Sequence, residues 1–122
     1  METMTSSTMP VGFEGNGVEL RTRASDGMTF GWVRLAKGVN LAPATLQLTE
    51  DLCPCPHWGY MIKGKVRMRA NDGDRDYEAG QAFYWAPGHA PEAVEDSEYV
   101  DVSPTGEFER AIAHIFTGTL KL

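Results

Sequence analysis

The sequence has 122 residues, enough for one domain with one hydrophobic core. It is 42% hydrophobic and 23% charged, as in globular proteins, and contains no apolar run of the ~20 residues that a membrane span needs. The net charge of -6 opposes binding to nucleic-acid phosphates, and the N-terminus lacks the basic and apolar regions of a signal peptide. We therefore expect a cytoplasmic protein with reduced thiols that binds neither nucleic acid nor membranes.

Short alternating segments separated by turn residues dominate the chain. Residues 1–10 are small and polar, which predicts a flexible start. The alternation of apolar and polar residues then predicts strands. Asn71 to Asp74 is a hairpin turn, because Asn, Asp and Gly tolerate positive φ. The predicted strands are 18–22, 28–35, 44–51, 57–63, 65–70, 76–79, 82–85, 93–96 and 99–103. Strands this short and this evenly spaced indicate a sandwich or small barrel.

The end of the chain is the one segment with helical periodicity. Ser103 and Pro104 have the character of a helix N-cap followed by proline at the first helical position. Gly118 is a natural stop. Phe108, Ala111, Ile112, Ile115 and Phe116 share one helical face. We therefore predict a short C-terminal helix.

Both cysteines lie in the stretch CPCPH, which carries three possible metal ligands. In an extended chain Cys53, Cys55 and His57 point to one face, together with Asp51. Thiols, imidazole and carboxylate are all ligands of transition metals. A second imidazole, His89, follows the Pro-Gly turn of GQAFYWAPGH. On the alternative interpretations, the cysteines are small buried apolar residues and His89 is a surface turn residue.

These two segments, between Asp51 and Pro91, resemble the motifs of the cupin family. The matching parts are HWGYMIKG, ending at Gly64, and GQAFYWAPG, beginning at Gly80. The resemblance implies an all-β fold, a cupin-type antiparallel jelly-roll barrel with a short C-terminal helix. It also implies a homodimer and a single cupin domain, which we place at residues 13–122, after the flexible tail that the composition predicts over residues 1–12.

The metal-ligand positions of the family carry different residues in this chain. By alignment of the motifs, His57 stands where the family has Glu, Cys53 where it has the second His and Asp51 where it has the first. Pro91 stands at the family's last His, and His89 lies two residues earlier. The resemblance therefore implies a substituted site of Cys53, His57 and His89, with Cys55 or Asp51 as a further donor. Sulfur ligands favour zinc or another soft divalent ion over manganese.

Three functional hypotheses follow from these residues. The first is a metalloprotein with an open coordination position that acts on a small organic acid or carbonyl compound. Four protein ligands would instead close the site and make the zinc structural. The second is a metal-free barrel that binds a small ligand, and the third is a Cys53–Cys55 redox pair. Whether the protein is an enzyme stays open. The predicted ligand pocket is lined by Asp51, Tyr60, Tyr84 and Glu92.

Overall fold

The computed structural model describes residues 1–41, 55–70 and 72–110. Over these ranges the chain is built almost entirely from strands. They are β1 (Val11–Gly15), β2 (Val18–Ser25), β3 (Met28–Leu35), β4 (His57–Lys63), β5 (Lys65–Ala70), β6 (Gly73–Glu78), β7 (Ala82–Trp85), β8 (His89–Ala93) and β9 (Ser97–Pro104). No helix within the described ranges is long and apolar enough to cross a membrane.

The strands form two antiparallel sheets. The larger sheet has the order β1-β2-β3-β9-β4-β7 and the smaller one has the order β6-β5-β8. Strand β9 comes last in the chain but lies between β3 and β4, so the larger sheet is completed only when the last strand pairs with both of them. The predicted all-β, antiparallel jelly-roll architecture is confirmed.

The hydrophobic core lies between the two sheets. The strands contribute alternate residues to it, which is the period that a sheet with one buried face requires. Members of this buried cluster from the larger sheet are Val18, Leu20, Val33, Leu35, Met61, Phe83, Trp85 and Tyr99. Val66, Met68 and Ala93 come from the smaller sheet. Cys55, just before β4, and Phe108, in the helical segment after β9, complete the list.

The predicted strands compare closely with the observed ones. Four have the predicted bounds, namely β3, β4, β5 and β7. The strand predicted at 93–96 is wrong except at Ala93: the observed strand β8 runs from His89 to Ala93, because the turn at Gly88 (φ 90°) already redirects the chain, and residues 94–96 form the bend before β9. Strand β1 was not predicted, and the strand predicted at 44–51 lies outside the described residues.

The C-terminal helix begins one residue later than the sequence suggests. Residues 105–110 are helical, whereas Ser103 and Pro104 belong to β9, where Pro104 pairs with Met28. Ser103 therefore faces the core instead of capping the helix. The predicted helical residues beyond 110 lie outside the described residues.

The first ten residues contact the larger sheet. Glu2 pairs with Arg23 and accepts a hydrogen bond from Ser25, and Arg21 donates to the carbonyl of Met9. Met9 is buried. Strand β1 begins at Val11, inside the segment 1–12 that the sequence suggests as a flexible tail; the division into a tail and one domain stays a prediction.

We predict that Gly59→Ala lowers the free energy of unfolding by about 3 kcal/mol, because a Cβ there overlaps rigid neighbours. It would lie 2.2 Å from the carbonyl oxygen of Val100 and 2.5 Å from the ring of Phe83. Urea denaturation followed by circular dichroism measures the change. The control is Gly106→Ala, where the nearest atom is the flexible end of Arg110 at 3.6 Å. Equal unfolding midpoints for the two variants would contradict the prediction.

Candidate functional site

Two histidines meet in the interior between the sheets. His57 opens β4 and pairs with Trp85, the last residue of β7. Four residues later the chain has crossed to the smaller sheet, where His89 opens β8. The ring centroids of His57 and His89 are 4.9 Å apart. The short turn between β7 and β8 thus brings the second imidazole to the first.

The ring of His89 is held by the turn that precedes it. Its Nδ1 lies 2.7 Å from the carbonyl oxygen of Ala86. Because a carbonyl only accepts, Nδ1 carries the proton and the lone pair falls on Nε2. His89 is 3% exposed, and this burial lowers its pKa. At neutral pH it is therefore an uncharged imidazole with Nε2 as its basic nitrogen.

His57 is held from strand β9. Its Nδ1 lies 2.6 Å from Ser103 Oγ and 3.4 Å from Asp101 Oδ2. Burial, and then the nearby His89, lower the pKa of His57 to about 3. A proton on Nδ1 that is donated to Ser103 leaves the lone pair on Nε2. Both imidazoles can therefore be neutral and bonded through Nδ1, which is the form in which histidine binds metals.

Asp101 is the second ionisable group beside His57. It is buried, and the cost of removing its charge from water raises its pKa to about 7. Its Oδ1 has no hydrogen-bond partner among the described residues. Gly31 leaves the space for this oxygen, since a Cβ at that position would lie 2.5 Å from it. Burial of both groups favours a neutral carboxyl beside a neutral imidazole over an ion pair.

Aromatic rings surround the two histidines. The ring centroid of Trp85 lies 6.4 Å from that of His57 and 6.3 Å from that of His89. The ring centroid of Phe108, in the helical segment, lies 6.5 Å from that of His57. These rings keep water away from the imidazoles and maintain the low polarity that lowers their pKa values.

A cavity of about 390 Å³ lies against His89. Its lining includes Trp85, Tyr84 and the ion pair between Arg75 and Asp72, whose Nη2 and Oδ2 atoms are 2.9 Å apart. Trp85 Nε1 is buried and has no hydrogen-bond acceptor among the described residues. The cavity therefore combines an aromatic wall, an unpaired N–H donor on a lining residue and a guanidinium group.

The predicted metal residues have different outcomes. The structure brings His57 and His89 together, whereas Cys53 and Asp51 lie outside the described residues. Cys55 is fully buried in the hydrophobic cluster, and its Sγ lies 3.6 Å from the carbonyl oxygen of Pro56. Among the described residues, no three His, Cys, Asp or Glu side chains are grouped closely enough to hold a metal. The metal assignment stays a prediction.

Of the predicted ligand-pocket residues, Asp51 lies outside the described residues, and only Tyr84 of the other three lines the cavity beside His89. Tyr60 is 46% exposed and shares the outer face of the larger sheet with Trp58, so it faces away from His57. Glu92 lies on β8 opposite Arg67, one residue out of phase with the inward-facing Pro91 and Ala93. Strand alternation therefore removes Tyr60 and Glu92 from the interior.

The sequence analysis did not predict three residues of the site, Asp101, Ser103 and Gly31. The signal was present in the alternation of EYVDVSP, in which Asp101 and Ser103 share the parity of the apolar Tyr99. A polar residue at an inward position needs a partner, and His57 is that partner.

We predict that Asp101→Asn makes folding stability more sensitive to acid. The pKa of His57 is lower in the folded than in the unfolded chain, so its contribution to stability falls as pH drops below 6.5. The raised pKa of Asp101 has the opposite effect, because its contribution to folding stability grows as the pH falls from 7 to 4. In the wild type the contributions of His57 and Asp101 therefore nearly cancel. Without the carboxyl, the free energy of unfolding should fall by at least about 2 kcal/mol from pH 7.5 to pH 5, since the lowered pKa of His89 acts in the same direction as that of His57.

Urea unfolding at several pH values measures this change against the wild type. Asp76→Asn, at an exposed ion pair, serves as the control for loss of one carboxylate. If the free energy of unfolding changes with pH in the same way in Asp101→Asn and in the wild type, the pKa shifts of Asp101 and His57 do not have opposite effects on stability.

Comparison with solved structures supports this fold. No family model and no curated protein sequence matches the chain. Among solved structures, KdgF from Halomonas sp. is similar at 20% identity, covering 85% of this chain and 94% of that one, with a TM-score of 0.64. An RmlC-like cupin from Shewanella frigidimarina is similar at 12% identity over 85% and 91%, with a TM-score of 0.62.

A third neighbour is an oxalate decarboxylase from Bacillus subtilis, a protein with Mn(II) centres. It is 23% identical, and the match covers 83% of this chain and 28% of that chain, with a TM-score of 0.61. Two sheets in jelly-roll order, the two motifs and these neighbours identify the chain as a protein with the cupin fold.

Proposed function

We propose that the protein is a small metal-binding cupin that takes a divalent, zinc-like ion on His57 and His89. One observation supports this most directly. Two neutral imidazoles lie 4.9 Å apart in the interior, each with Nδ1 directed at a protein oxygen. That arrangement fixes the ring and leaves Nε2 for a ligand, as in most histidine metal sites.

The donor set fits a soft divalent ion. Two imidazole nitrogens come from the described residues, and the sequence predicts Cys53 as the third donor. We leave Cys55 out of the set, because its thiol is buried among apolar side chains. Two nitrogens and a sulfur are typical zinc ligands. A bound ion would act as a Lewis acid towards a carbonyl or carboxylate group.

We further propose that the ligand is a small organic acid held in the cavity beside His89. The guanidinium of Arg75 offers paired N–H donors that match a carboxylate. The buried N–H of Trp85 lacks an acceptor among the described residues, and a ligand oxygen would supply one. The volume of about 390 Å³ suits a small molecule.

Metal analysis of purified protein tests the ion. We expect about one equivalent of zinc after refilling, and affinity at least tenfold weaker in His57→Ala and in His89→Ala. The matched control is His114→Ala, which removes the third histidine of the chain and should leave affinity unchanged. Less than a tenth of an equivalent in the refilled wild type would refute metal binding.

Arg75→Ala tests the ligand. A panel of small carboxylic acids should raise the thermal unfolding midpoint of the wild type, while the matched amides should not, because only the acids pair with a guanidinium. In Arg75→Ala the half-saturating acid concentration should rise at least tenfold. Arg69→Ala is the control, since Arg69 is exposed and does not line the cavity. An equal response to acids and amides would exclude carboxylate recognition.

A metal-free ligand-binding cupin is the second candidate. It is favoured by the absence of a group of three donors among the residues that the structure describes. In this case a chelator leaves the unfolding midpoint unchanged, and the carboxylic acids still raise it in metal-free protein. The two candidates therefore differ in one measurement on the same samples.

A further inference from the structure

The hairpin turn between β5 and β6 brings a carboxylate to the cavity beside His89. Asp72 lies in this turn and Arg75 follows on β6, and both residues line the cavity of about 390 Å³. Asp72 Oδ2 lies 2.9 Å from Arg75 Nη2. The guanidinium that we propose for binding a ligand carboxylate therefore has a negative charge of the protein next to it.

Arg75 differs from Arg67, on the neighbouring strand, in the face of the sheet that it occupies. Arg67 is exposed and lies opposite Asp76, with which it makes two hydrogen bonds on the outer face of the smaller sheet. Arg75 instead lies opposite Met68, which is buried. Because residues that face each other across two strands share one side of the sheet, Arg75 extends from the inner side. Its charge partner comes from the turn, since the facing strand offers only a thioether at this position.

The remaining lining of the cavity is mainly apolar and aromatic. Met68 and Trp85 are buried, and the ring centroid of Tyr77 lies 5.7 Å from that of Trp85. The buried Nε1 of Trp85 has no acceptor among the described residues. A molecule in this cavity would therefore meet an apolar wall, one unused N–H donor and two side chains of opposite charge.

The pair of Asp72 and Arg75 discriminates between kinds of carboxylic acid. A plain carboxylate that binds Arg75 competes with Asp72 for the same N–H groups and is repelled by it, since two like charges then share one cation. An α-amino acid carries an ammonium group next to its carboxylate. With the ammonium at Asp72 and the carboxylate at Arg75, the four charges alternate in sign, and a second attraction replaces the repulsion. The pair therefore favours a zwitterion over an anion.

We infer that the cavity beside His89 binds a small α-amino acid with an apolar side chain. Arg75 takes the carboxylate, Asp72 takes the ammonium group, and the apolar wall takes the side chain. This ligand class rests on the carboxylate site proposed above and narrows it to acids that carry an α-ammonium group.

Thermal unfolding of the wild type with matched pairs of ligands tests this ligand class. The probes are L-alanine, L-leucine and L-phenylalanine, and the acids that lack only their amino group, namely propionate, 4-methylpentanoate and 3-phenylpropionate. A ligand that binds the folded chain raises the unfolding midpoint. At pH 7 at least one amino acid should half-saturate this rise at a concentration roughly tenfold lower than its matched acid. Low salt is needed, because both charged side chains are largely exposed and salt screens such charges.

Asp72→Asn should abolish this preference. The variant loses the partner of the ammonium group and also the repulsion of a plain carboxylate, so amino acids should bind more weakly and the plain acids no worse than before. The matched control is Asp74→Asn, in the same hairpin. Asp74 is exposed, lies opposite Arg69 and does not line the cavity, so its variant should keep the preference of the wild type.

The possible results separate the ligand class from the carboxylate site itself. Equal affinity of the wild type for amino acids and their matched acids overturns the amino-acid assignment and leaves the carboxylate site standing. A preference that persists in Asp72→Asn, shown by circular dichroism to be folded, also overturns the assignment. No rise in the midpoint with any of the six ligands overturns both the assignment and the carboxylate site. The comparison within the wild type decides the question even if a variant fails to fold.

Discussion

The alternation of strand β9 is the constraint on which both the interior and the outer face depend. The strand lies between β3 and β4, so its side chains point either to the core or to the outside. Its inward residues include Asp101 and Ser103, which hold His57, and its outward residues Val100 and Val102 lie on the opposite face between aromatic residues of β3 and β4. A shift of one residue in its register would exchange these sets.

The interior residues show how polar groups are accommodated in this core. A buried imidazole or carboxyl is costly unless it is neutral and bonded. His57 meets both conditions through its lowered pKa and through Ser103, and Asp101 meets the first through its raised pKa. The unsatisfied oxygen of Asp101 and the unpaired N–H of Trp85 are the exceptions within the described residues. Such groups concentrate at functional sites, and they support the proposal of a ligand site here.

Strand β4 divides its side chains between the two faces of the larger sheet. In β4, His57 faces the interior while Trp58 and Tyr60 face outwards.

The sequence by itself determined the class of fold and most of the strands, because apolar alternation is a local signal that survives in the tertiary structure. It also identified His57, from its spacing to the two cysteines, and His89, from its position after the Pro-Gly turn. The structure places Tyr60 and Glu92 at outward-facing positions, which the sequence did not indicate, because which face of a strand is buried depends on what packs against it. Only the tertiary structure brought Asp101 and Ser103 to His57, across 44 and 46 positions of the chain. Pairing between distant strands is decided by the packing of the whole core, and no local pattern in the sequence records it.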